Sequence, residues 1–184
     1  MALLYSIGHG RRPVDTFLEL LQAPGIRRVV DVRAMPASRR NPQFNKAALE
    51  SVLANNGIEY VWRGAELGGL RTPRPDSRHV ALRNEALRGY ADHTDTDEFG
   101  NGLDWLLRSA GETHTAFMCA ESDWRRCHRR ILSDAIVAAS GRVVHLLDGV
   151  HEEHVLHSSA RIKDGRPIYD QRVQRSLRDR KSVV

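Results

Sequence analysis

Eleven consecutive residues, Cys119 to Arg129, hold two thiols, two carboxylates, an imidazole and three guanidinium groups. They include Cys119-Ala120-Glu121 and Arg126-Cys127-His128-Arg129. His128 is either a satisfied core histidine or, since a carboxylate beside an imidazole fixes its tautomer and raises its basicity, a proton-transfer residue held by Glu121. Cys119, just ahead of an expected helix N-terminus, is a candidate for a lowered thiol pKa, although Glu121 opposes that effect. Cys127 reads as a small core residue. Arg126 and Arg129 fall at the first helical turn, where free backbone amides also attract anions.

A second set lies earlier. Asp31 sits inside the apolar run Val29-Val30-Asp31-Val32-Arg33, where an unpaired carboxylate costs several kcal/mol. It is either an anchor tied to a loop amide or an arginine, or a general acid or base near His9 and Glu121. Arg33, Ser38, Arg39 and Arg40 follow, and the planar guanidinium fork suits phosphate and carboxylate.

Three familiar mechanisms fit these residues poorly. Cys119 and Arg125 have Cys-x5-Arg spacing, but the intervening Glu121 and Asp123 repel an oxyanion and no glycine turns the amides inward. Cys119, Cys127 and His128 are metal-binding types, yet adjacent helical residues point about 100° apart and no fourth ligand is apparent, so no metal ligand is assigned. Gly8-His9-Gly10 lacks the remaining residues of a phosphate-binding glycine loop.

The positioning elements follow from hydrophobic pattern. Apolar runs at Leu3–Ile7, Val29–Val32, Ile58–Trp62, Ala116–Cys119 and Val143–Leu147 read as strands buried on both faces. Helical patterns alternate with them at Val14–Leu21 after Pro13, Lys46–Asn55 with Asn45 as N-cap, Val80–Tyr90, Glu98–Ser109 and Arg126–Ala139. Alternation implies right-handed crossovers, so the expected fold is a single α/β domain over 1–184: a three-layer sandwich, mainly parallel, with helices on both faces. Asp164-Gly165 marks a closing β-hairpin.

In such sheets ligands bind beyond the carboxyl ends of the strands. The loops there carry Gly8-His9-Gly10, Arg33 to Arg40, Glu66-Leu67-Gly68-Gly69 and Cys119-Ala120-Glu121. The opposite edge has the bland links Ala23-Pro24-Gly25 and Asn55-Asn56-Gly57. His9, Arg33, Glu121 and His128 are therefore expected to line one pocket.

Charge adds a partner class. Of 28 basic residues only Lys46, Lys163 and Lys181 are lysines. Residues 1–93 carry 14 basic and 9 acidic groups, 94–160 carry 6 and 11, and 161–184 carry 8 and 3, so both ends are basic and the middle acidic. An anionic ligand, DNA or RNA among the candidates, fits that distribution. No apolar run reaches the roughly 20 residues that cross a bilayer, no signal peptide is recognisable, and two cysteines make no disulfide scaffold, so a cytoplasmic location is expected.

Ser6-Ile7-Gly8-His9, Val30-Asp31-Val32-Arg33, Ser38-Arg39-Arg40-Asn41-Pro42-Gln43-Phe44-Asn45, Leu67-Gly68-Gly69-Leu70, Arg83-Asn84, Arg88-Gly89-Tyr90-Ala91-Asp92, Cys119-Ala120-Glu121 and Arg126-Cys127-His128-Arg129 occur in unbroken order. Over about residues 3–170 the chain resembles the bacterial and archaeal domain of unknown function 488 family, leaving a basic tail at 171–184. The resemblance implies a compact α/β sandwich and names no reaction. It adds Gly68, Gly69, Arg83 and Tyr90 to the candidate substrate-binding residues.

The function expected is hydrolysis of nucleic acid or a nucleotide-like anion, glycosylase-like or nuclease-like. Glu121, Asp31, His9 and His128 would move protons while Arg33, Arg39, Arg40 and Arg129 hold phosphate. No organic cofactor is expected; a divalent metal enters only in the nuclease case. The rivals are a non-catalytic arginine-rich binding module and thiol chemistry at Cys119. Oligomeric state is left open.

Overall fold

The structure is a computed structural model that describes residues 1–170; the basic tail 171–184 lies outside the described residues. The five apolar runs form one sheet. β1 (Leu3–Gly8), β2 (Arg28–Asp31), β3 (Glu59–Trp62), β4 (Thr115–Cys119) and β5 (Arg142–Leu147) are parallel in the order β3-β2-β4-β1-β5. β6 (Val150–Glu153) adds an antiparallel edge beside β5. Outside this sheet β7 (Arg161–Lys163) and β8 (Arg166–Ile168) form the expected hairpin, with Asp164 and Gly165 at φ of 52° and 70°, the left-handed pair a two-residue turn needs.

Helices cover both faces, as the alternation implies. α1 (Val14–Gln22) and α2 (Lys46–Asn55) bury Phe17, Leu21, Leu49 and Leu53 against Ile7, Val29 and Met118. After the single turn α3 (Gly64–Leu67), the helices α4 (Glu85–His93), α5 (Asp97–Glu112) and α6 (Arg129–Ala138) pack Tyr90, Leu106, Ile131 and Leu132 on Leu4, Val30 and Phe117 of the other face. No helix among the described residues is long and apolar enough to cross a membrane.

Several sequence expectations need correction. β3 is an edge strand with Glu59 and Trp62 exposed, so it is not buried on both faces. The helix expected at Val80–Tyr90 begins at Glu85, because Asn84 Oδ1 accepts from Leu87 N and caps it there. The helix expected at Arg126–Ala139 is two pieces: a 3-10 turn at Trp124–Arg126, capped by Asp123, and then α6, with Cys127 extended (ψ 155°) between them. Asn45 does precede α2, but its Oδ1 accepts from Ser38 N instead of capping the helix. β6 was not anticipated, although Asp148-Gly149 linking the paired Leu147 and Val150 is the same turn signal as Asp164-Gly165.

The order of strands makes the cleft. The helices that follow β1 and β2 lie on one face, whereas α6 follows the intervening β4 onto the other. Chains leaving neighbouring strands in opposite directions open a crevice at their carboxyl ends. His9, Arg33 and Cys119 stand there.

Around β5 and α6 the fold is tied together by buried polar groups. Tyr169 OH donates to Asp134 Oδ2 (2.7 Å), His154 Nε2 donates to Asp134 Oδ1 (2.8 Å), and His145 Nε2 donates to His154 Nδ1 (2.9 Å). The His145 ring stacks on Trp124 with centroids 3.9 Å apart. Burial, helped by His154, holds His145 down to about 2, and burial holds His9 down to about 4. Both therefore stay neutral in the folded protein while the unfolded chain takes up protons below about pH 6.5. Stability should fall as pH drops from 7 to 5, by about 2 kcal/mol for each of these two histidines, which urea unfolding at the two pH values would measure.

Candidate active site

A pocket of about 290 Å³ opens at the carboxyl ends of β1, β2 and β4, lined by His9, Arg33, Ser38, Gly69, Cys119 and His128 together with apolar Met35 and Leu70. A second hollow of about 450 Å³ also borders His9 and Ser38 and carries Arg11, Arg40 and Glu121. His9, Arg33 and His128 thus share one pocket as expected. Glu121 stands in the adjoining hollow.

Arg33 is fixed from behind. Its Nε donates to Asp31 Oδ1 (2.9 Å) and its Nη2 to Asp31 Oδ2 (2.6 Å), both groups being buried. Tyr60 OH (2.7 Å) and the Arg33 amide (3.0 Å) also donate to that carboxylate. Asp31 is therefore the anchor and has no lone pair facing the pocket, which removes it as a general acid or base. The Nη1 edge of Arg33 is left free of Asp31 and lies 3.4 Å from His9 Nε2.

His9 is oriented by two contacts. Its Nδ1–H donates to Gly10 O (2.9 Å), and its ring stacks on Phe44 at 4.4 Å. The lone pair is thereby left on Nε2, toward Arg33. Burial keeps the ring neutral at pH 7, so it is a proton acceptor in waiting.

The Glu121–His128 pair does not form. Glu121 is exposed, and its carboxylate accepts from Asp123 N (3.1 Å) and Ser122 Oγ (3.4 Å). His128 donates from Nε2 to Val32 O (3.1 Å), leaving Nδ1 toward the sulfurs of Cys127 (3.6 Å) and Cys119 (3.9 Å). Glu121→Gln is accordingly expected to shift unfolding by no more than about 0.5 kcal/mol, as for other exposed side chains, in a urea titration.

The thiols also depart from expectation. The neighbouring Cys127 sulfur and burial raise the Cys119 thiol, whereas Cys127, beside Cys119, His128 and Arg129, is lowered. The more acidic sulfur is therefore Cys127. Arg125 donates to Glu152 (2.5 Å) and lies over Trp124, so it closes no oxyanion loop with Cys119.

Arg129 lines neither hollow. It is 1% exposed, donates to Ser6 Oγ (3.0 Å) and to Glu121 O, and has no carboxylate partner among the described residues. Gly8 makes room for this: a Cβ there would stand 1.9 Å from Glu121 O. The buried charge acts on the pocket through its field, and it is among the causes that lower His9.

The remaining candidates divide. Gly69 lies over the His128 ring, where a Cβ would come within 2.9 Å of Nδ1, while Gly68 is packed on Ala34 and Gly64 away from the pocket. Tyr90 is buried, donates to Leu67 O (2.8 Å), packs on the His128 ring and lines neither hollow. Arg39, Arg83 and Arg126 are exposed and line neither hollow. Sequence reasoning missed Leu70, 80% exposed with φ 62°, and Met35, 71% exposed; the signal was Gly68-Gly69 ahead of an apolar residue. A non-glycine residue held in the left-handed region is strained and often marks a site.

A doubly wound α/β domain, with its cleft where the connections of neighbouring parallel strands leave to opposite faces, is thus the class the fold defines. The chain belongs to the family described as Domain of unknown function DUF488, whose family model matches residues 13–136. No curated protein and no solved structure matches it.

Proposed function

We propose that the cleft binds a nucleotide-like phosphate, free or within nucleic acid, and hydrolyses it. The observation that carries the reading is charge: Arg33 is turned edge-on to the pocket, and behind it Arg129 is a buried cation with no carboxylate partner among the described residues. A buried cation without a carboxylate is costly unless negative charge comes near; the acidic Cys127 thiol supplies part of it, and an anion in the pocket would add to it. Arg11 and Arg40 extend the positive wall into the adjoining hollow, partly offset by Glu121. The exposed Met35 and Leu70 offer apolar surface to a base beside a charged floor.

In this reading His9 takes the proton of the attacking water at Nε2, while the Arg33 Nη1 edge holds the phosphoryl oxygens and disfavours protonation of His9 in the resting state. Arg40 positions the anion from the rim.

The test is binding of a fluorescent oligonucleotide and of a 5′-nucleotide across salt, with release of product followed in the same samples. Affinity for the oligonucleotide should fall steeply between about 50 and 200 mM salt, and Arg40→Ala should reduce the log–log slope by about one. Binding that is absent at low salt or indifferent to salt contradicts the phosphate reading; binding without turnover leaves a binding module.

A further inference from the structure

Hydrolysis through His9 and Arg33 leaves one cluster without a role: Cys119 Sγ, Cys127 Sγ and His128 Nδ1, all within 4.8 Å of one another. We propose that these three atoms are the protein ligands of a Zn²⁺ ion whose fourth position opens into the cleft. The inference stands apart from the phosphate reading.

The sulfur–nitrogen distances fit first. Tetrahedral zinc with Zn–S of about 2.3 Å and Zn–N of about 2.0–2.1 Å sets sulfur and nitrogen about 3.6 Å apart. His128 Nδ1 is 3.6 Å from Cys127 Sγ and 3.9 Å from Cys119 Sγ.

The imidazole is also presented correctly. Its Nε2–H is engaged by Val32 O, so the lone pair lies on Nδ1, toward the two sulfurs. Ligating histidines are commonly held in this way, by a carbonyl or carboxylate on the far nitrogen.

Local backbone explains how neighbours converge. Cys127 is extended between the 3-10 turn and α6, and His128 is the residue before α6, so the divergence expected of adjacent helical positions does not arise.

Donor chemistry selects the ion. Two thiolates and an imidazole suit a soft or borderline cation over Mg²⁺ or Ca²⁺. Both sulfurs are free and nearly buried. Zn²⁺ with two thiolates is formally neutral, which limits the cost of burial. Binding forms two Zn–S bonds and one Zn–N bond, and any proton still on a thiol passes to solvent. The imidazole binds neutral.

Cys119 and His128 line the pocket, and three protein ligands with an open fourth position is the pattern of catalytic rather than structural zinc.

The reduced full-length protein, freed of metal by chelator, would be titrated with Co²⁺ and then Zn²⁺. One Co²⁺ per chain, tetrahedral visible bands and a thiolate-to-cobalt charge-transfer band are expected, all abolished by one equivalent of Zn²⁺. Competition with a chromophoric chelator should give a Zn²⁺ Kd of about 10⁻⁷ M or tighter. Cys127→Ser should weaken it about 100-fold or more, the loss of a primary ligand being at least as large as the loss of its supporting contact.

Should that variant fail to fold, the wild type still decides: Zn²⁺ should protect both Cys119 and Cys127 from alkylation, mapped by mass spectrometry. A cobalt spectrum without the charge-transfer band, a Kd weaker than about 10⁻⁵ M, or equal alkylation with and without Zn²⁺ would overturn the site. So would ready formation of a Cys119–Cys127 disulfide in the presence of Zn²⁺.

Discussion

Asp31→Ala is expected to destabilise the protein by about 3–5 kcal/mol, because it leaves the Arg33 guanidinium buried without its carboxylate. Arg33 is 5% exposed and Asp31 fully buried, so water cannot replace the pair. Tyr60 OH and the Arg33 amide would lose their acceptor as well. The double variant Asp31→Ala with Arg33→Met should recover much of that loss, since an apolar side chain in place of a buried ion is often nearly neutral. It should not recover binding of a 5′-nucleotide. Urea unfolding and nucleotide titration of the three proteins separate the two roles: restored stability with restored binding would show that Arg33 holds only the fold.

His9→Asn carries the largest expected effect on turnover. Asparagine can keep the hydrogen bond to Gly10 O near the Nδ1 position, and it removes Nε2, the lone pair beside Arg33. A lost general base costs about 10²- to 10⁴-fold in rate. The variant should therefore bind nucleotide within a few-fold of wild type while kcat falls by that factor. Equal losses in kcat and in binding would make His9 a contact and not a base.

The parallel sheet was legible because its inner strands are short apolar runs, and the edge of the sheet that holds the cleft was legible because four successive strand ends carry glycine, polar or cysteine residues. β6 was not, since Val150-His151-Glu152-Glu153 is too polar to read as a buried strand and only the Asp148-Gly149 turn announces it. The roles at the Cys119–Arg129 segment were misread through one backbone detail. A continuous helix would put Arg129 on the anion's side; the break at Cys127 turns Arg129 inward to Ser6 and brings Cys127 and His128 together. Glu121 misled for a different reason: two residues past the end of β4 its carboxylate turns outward, to Asp123 N, and no pattern in sequence reveals that direction. Asp31 was legible as a carboxylate that needs a partner, and the partner proved to be two residues away.

Titration of the ¹⁵N-labelled protein with a 5′-nucleoside monophosphate, followed by backbone amide shifts, tests the central claim most directly. Saturable shifts should concentrate at His9, Arg33, Ser38, Gly69 and Leu70, the residues around the pocket at the ends of β1 and β2 and after α3. They should vanish in the refolded Asp31→Ala, Arg33→Met double variant. Shifts that are absent, or that cluster away from the pocket and persist in that variant, would contradict the account.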